Sequence, residues 1–120
     1  MAATVVAPQT ILGSNVSESA TQMTTLTWTA VDIVNTNSVT MGGRKLMLLF
    51  RNDDVGAVTI TISSSDNPYG RQADVTAFSI AAGAYAVRNF EPVGWEQTLG
   101  GRNMIITASD ADMKFAAINL

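Results

Sequence analysis

The chain has no cysteine and no histidine. Without cysteine it has no disulfides, thiolate zinc sites or cysteine nucleophile, so stability has to come from burial or from partners. Without histidine it lacks the commonest general base and metal ligand at neutral pH, which removes Ser-His-Asp chemistry and most zinc or non-haem iron sites. No catalytic residue, metal or cofactor is expected. Charge is scarce as well: charged residues make up 14% of the chain and the net charge is −3. The seven cations, Arg44, Lys45, Arg51, Arg71, Arg88, Arg102 and Lys114, are scattered singly or in pairs. They form no stripe that would track phosphates or coat an anionic membrane. No run approaches the roughly 20 apolar residues of a membrane-spanning helix. The opening stretch to Pro8 lacks the basic start and sustained apolar core of a secretory signal, so synthesis in a cytoplasm is expected.

What is present is β patterning. Lys45-Leu46-Met47-Leu48-Leu49-Phe50-Arg51 is apolar on both faces, Asn52-Asp53-Asp54-Val55-Gly56 reads as a turn, and Ala57-Val58-Thr59-Ile60-Thr61-Ile62 alternates strictly. That is a central strand followed by a half-buried one. Gly42-Gly43, Gly56, Gly70, Gly83, Gly94, Gly100-Gly101, Pro68 and Pro92 punctuate strand-length runs. Strands are predicted at Thr24 to Ala30, Val39 to Met41, Lys45 to Arg51, Ala57 to Ser63, Asp74 to Ile80, Ala84 to Phe90, Trp95 to Leu99, Asn103 to Thr107 and Met113 to Asn119. Alternation selects a core of Leu26, Trp28, Leu46, Leu48, Phe50, Val58, Ile60, Ile62, Phe78, Ile80, Met104 and Ile106. The expectation is one all-β domain, an antiparallel β-sandwich of about eight strands. A chain of 120 residues is long enough for a single core.

Residues 1–23 differ from the rest. They mix small and polar residues with Val5, Val6, Ile11 and Leu12 and show no sustained alternation; a helical turn from Ser17 to Met23 is the best that can be drawn. We read them as an N-terminal arm ahead of a sandwich domain at 24–120. Val5, Val6, Ile11 and Leu12 are its candidate partner-binding residues, because a bare linker has no use for apolar pairs.

Chemistry-bearing combinations are sparse. Glu91 and Glu96 flank Pro92-Val93-Gly94-Trp95, and would suit a glycosidase pair if their carboxyls converged at about 5 to 10 Å. A turn with two solvated acids is the simpler reading. Asp53-Asp54 and Asp110-Ala111-Asp112 offer oxygen ligands but lack the regular spacing of a calcium-binding loop. Tyr69, in the loop Asp66 to Arg71, and Trp95 are the candidate aromatics for stacking on a ligand such as a sugar. Low charge and abundant Thr, Ser and Ala leave the surface poorly defended against self-association, a property of interfaces.

From about Thr24 onward the chain resembles the capsid decoration, or cement, proteins of tailed bacteriophages. The residues that carry the resemblance are Trp28, Gly43-Arg44 leading into Leu46-Met47-Leu48-Leu49-Phe50-Arg51-Asn52, then Ala57 to Ile62. Ala81-Ala82-Gly83-Ala84, Trp95 before Gly100-Gly101, and the closing Phe115-Ala116-Ala117-Ile118 complete it. The resemblance implies a β-sandwich or jelly-roll-like fold, a homotrimer and no catalytic residues. It also implies a place on the outer capsid surface of a virion, with the major capsid protein as partner and an N-terminal arm laid along the shell or a neighbouring protomer. A carbohydrate- or receptor-binding module of the virion is the alternative.

Overall fold

Strict alternation sets the centre of the molecule. In the computed structural model, which describes residues 4–11, 25–64, 74–97 and 102–120, two adjacent runs of it become facing layers. The strands are β1 (Thr4–Val6), β2 (Thr29–Ala30), β3 (Asn37–Thr40), β4 (Leu46–Asn52), β5 (Val58–Ile62), β6 (Val75–Ile80), β7 (Tyr85–Phe90), β8 (Asn103–Ala108) and β9 (Met113–Asn119). They form a five-stranded sheet in the order β1-β3-β8-β5-β6 and a four-stranded sheet in the order β2-β9-β4-β7. The fold is all-β, two sheets packed as a sandwich.

Between the layers lies one apolar core. From the four-stranded sheet come Leu46, Leu48, Phe50, Phe90, Met113 and Phe115; from the other come Val39, Val58, Ile60, Ile62, Ile80, Met104 and Ile106. Burying a side chain of this size is worth about 1.5 to 3 kcal/mol, so these residues dominate stability. Two buried asparagines close the ends of crossing loops. Asn37 accepts from the Asp32 amide and donates to the Asp32 and Ile106 carbonyls. Asn52 donates to the Gly56 and Ile80 carbonyls, at 2.9 and 2.8 Å, and accepts from the Asp54 amide.

Several expectations are corrected by long-range pairing. Among the described residues of the predicted first strand, Thr29–Ala30 joins a ladder, against β9, and Thr24 lies outside them. Residues 25–27 are held instead by the Gln9 side chain, which donates to the Thr25 carbonyl and accepts from the Thr27 amide. Leu26 and Trp28 are therefore half-buried rather than core. Of the predicted strand from Trp95 to Leu99, residues 98–99 lie outside the described residues, and Trp95 to Glu96 is a turn: both amides bond the Pro92 carbonyl, Gly94 has φ +90°, and Gln97 bridges to Asn103. Phe78 stands 52% exposed because β6 is an edge strand whose register shifts opposite Thr61, with Ala77 at φ +49°.

The described start of the chain joins both sheets. Thr4–Val6 pairs in parallel with β3, and Gln9 then bridges to Ile118 of β9, so residues 4–9 are laced onto both sheets of their own chain. The proposed helical turn at Ser17 to Met23 lies outside the described residues.

Candidate interaction surface

Cross-strand register assigns every residue of the four-stranded sheet to a face, because direct partners point the same way. Leu49 stands opposite Val87 and Ala116, and Met47 stands opposite Asn89 and Ile118. These outward rows are largely apolar, as the two-faced composition of Lys45 to Arg51 implied. Such a run suits a strand covered on both sides, yet β4 belongs to a two-layer sandwich.

Trp28 partly covers this face. Its ring meets Tyr85 edge-on with centroids 6.1 Å apart, and the Arg51 guanidinium lies 4.8 Å from its centroid. Trp28 precedes β2 at one edge and Tyr85 lies on β7 at the other, so the indole reaches across the outer face. Arg51 is steadied by Asp53: Nη2 donates to Oδ2 at 3.0 Å, while Nε lies 2.9 Å from Oδ1 but out of line for a hydrogen bond. Tyr85 and Val87 remain 69% and 61% exposed. Trp, Tyr and Arg are the residue types that carry most energy in protein interfaces.

The surface continues around the free edge of β7. Between β6 and β7, edge strands of opposite sheets, the sandwich opens into a cleft of about 230 Å³ floored by Phe50, Ile60 and Ile62. Arg88 belongs to the inward row with Leu48 and Ala117, yet it is exposed at the cleft. A charge pointing inward from an edge strand is a device that discourages edge-to-edge pairing.

The sequence candidates are dispersed over this framework. Val5 and Ile11 are exposed, Val6 is packed partly against the core, and Leu12 and Tyr69 lie outside the described residues. Trp95 meets Phe90 edge-on at 5.0 Å and carries the Arg88 guanidinium 5.3 Å from its ring centre. Glu96 accepts from the Gly43 amide and from Arg102 Nε, at 2.7 and 2.8 Å, whereas Glu91 pairs with Lys45. The two carboxylates thus serve different corners of the fold. Gly43 beside this clamp has φ +77°, a left-handed backbone that strains any residue with a Cβ, whereas the nearby Arg102 guanidinium is the movable end of a flexible side chain.

Asp54 comes together with a distant pair of acids, Asp110 and Asp112. Carboxylate oxygens of Asp54, Asp110 and Asp112 lie within 4.8 Å of one another, and these are the described residues that would hold a metal if one were bound. Asp54 and Asp110 also accept from nearby backbone amides, which is ordinary for aspartates at loop corners. Asp32 accepts first from the Asn35 amide and side chain and then from the Val34 amide, which holds its carboxyl below the usual carboxylate range. Asp74 is lowered likewise by the amide and hydroxyl of Ser64.

Compared with family models, curated proteins and solved structures, the chain matches none of them.

Proposed function

We propose that the protein is a non-enzymatic structural component of a bacteriophage head. In this reading it is a decoration protein that binds the outer surface of the major capsid shell as a homotrimer and stabilises it. The observation that carries this reading is the apolar and aromatic surface wrapped around β7, with Trp28, Tyr85, Val87 and Phe78 on a stiff β scaffold. Exposed apolar surface that is contiguous and edged by polar residues marks a docking site for another protein.

The strand order supports the finer, jelly-roll reading. Leaving β1 aside, the sheets run β2-β9-β4-β7 and β3-β8-β5-β6, the interleaving expected of two nested Greek keys. Jelly rolls are frequent in virus shells and in lectins. A cement needs no reactive group: many modest contacts on a repeating lattice add through avidity. The acidic net charge suits the outside of a particle better than contact with packaged DNA.

Copy number tests the proposal. Mass spectrometry of purified particles should find the protein in numbers comparable to the shell subunit, and light scattering should give a trimer. A strict monomer that fails to bind shells lacking it would overturn it. The alternative, a carbohydrate- or receptor-binding module, is favoured by one observation, the exposed Tyr85 beside Trp28, which suits stacking on a sugar. A glycan-array signal lost in Tyr85→Ala, with shell binding absent, would decide for it.

A further inference from the structure

The cleft between β6 and β7 combines apolar walls with a cation that has no carboxylate partner among the described residues. Phe50, Ile60, Ile62, Val75, Phe78 and Phe90 supply the walls. Arg88 is held at this cleft over two rings, 5.2 Å from the centre of Phe90 and 5.3 Å from that of Trp95. Among the described residues the ion pairs are Lys45 with Glu91, Arg51 with Asp53 and Arg102 with Glu96. Arg88 therefore presents its guanidinium without a carboxylate, although the register places it in the same row as the buried Leu48.

These features specify a ligand. An apolar cavity accepts hydrocarbon, and a guanidinium fork matches the two oxygens of a carboxylate. We propose that the cleft binds an aliphatic monocarboxylate, its alkyl chain between the sheets and its carboxylate on Arg88. A volume of about 230 Å³, at about 30 Å³ per water-sized group, accommodates a chain of roughly eight carbons.

Methyl NMR of the full chain during titration with sodium octanoate, below its micelle concentration, tests this. Saturable shifts are expected at the methyls of Ile60, Ile62 and Val75. Burying one methylene tightens binding about fourfold, so octanoate should bind roughly 16-fold tighter than hexanoate, with little further gain for decanoate. Arg88→Gln should weaken octanoate about tenfold, the scale of a charge-assisted hydrogen bond, and leave 1-octanol unchanged. Ala86→Leu, which narrows the cleft, should weaken both, with folding of each variant checked by circular dichroism.

The absence of saturation overturns the proposal. So do shifts centred on Leu49 and Ile118 of the outer face, or octanoate binding indifferent to Arg88→Gln in the folded variant. If affinity instead falls as protein concentration rises, a second copy of the chain occupies the cleft, and the proposal fails in favour of self-association.

Discussion

Arg88 on β7 stands directly opposite Leu48 on β4, yet Leu48 is fully buried and Arg88 is exposed. One cross-strand row therefore runs from the centre of the core to solvent within a single strand spacing, and the edge of β7 is where the sandwich ends. An inward cation there keeps two such edges from pairing. Arg88→Leu should produce concentration-dependent association beyond the native oligomer, measurable by dynamic light scattering. Particle size unchanged up to millimolar protein would remove this role from Arg88.

Asn52 ties the end of β4 to the Gly56 turn and to the end of β6 from a fully buried position. Asn52→Ala leaves the Ile80 carbonyl and the Asp54 amide without their partner, and should cost about 2 to 3 kcal/mol. Urea unfolding is the measurement: the midpoint should fall while the slope stays constant. Asn52→Asp should be at least as damaging, because it replaces the donating amide with a charge facing two carbonyls.

Asp32 and Asp74 both have carboxyls held below the ordinary aspartate value by hydrogen bonds to the ionised form, led by the amides of Asn35 and Ser64 respectively. A folded pKa below the unfolded one means that ionisation favours the fold above about pH 4 and that this contribution disappears as pH falls through the folded value. The acid limb of stability should therefore steepen below pH 4. Asp32→Asn should flatten it, removing near pH 7 the same contribution that the parent protein loses in acid. An acid limb identical to that of the parent would contradict the assignment.

Ala77 occupies the left-handed region at φ +49°, where β6 slips register against β5. Left-handed backbone costs an L-residue about 1 to 2 kcal/mol, and glycine's added chain entropy returns about 0.5 to 1 kcal/mol of that. Ala77→Gly should stabilise the protein by about 0.5 kcal/mol, visible as a higher thermal midpoint. A lower midpoint would mean that the Cβ at this position does more for packing than its strain costs.

Tyr85 is largely exposed, and its ring meets Trp28 edge-on at the surface. Tyr85→Ala should cost under about 1 kcal/mol of folding stability but weaken binding to shells more than tenfold, as a central interface aromatic would. Sedimentation of the variant with decoration-free shells separates the two effects. Undiminished shell binding would move the interface away from β7.

Much of the architecture can be read from the residues in order. Leu46 to Phe50 and Val58 to Ile62 announce strands because side chains alternate with period two, a local property that needs no knowledge of partners. The absence of histidine and cysteine likewise closes off whole chemistries at once. Pairing is not local, and most of the chain's surprises arise there. Thr4–Val6 becomes a strand only because β3 offers it an edge, and Trp95 turns because Pro92 and Gly94 outweigh the apolar pattern around it. Phe78 and Arg88 share an exposed cleft only because β6 and β7 are edges of opposite sheets. Local pattern was enough to place Leu46 to Phe50 and Val58 to Ile62 as strands and to point Leu46, Leu48, Phe50, Val58, Ile60 and Ile62 at the core. Tertiary structure decided which faces and edges stay uncovered, because that depends on the order in which strands distant along the chain lie side by side.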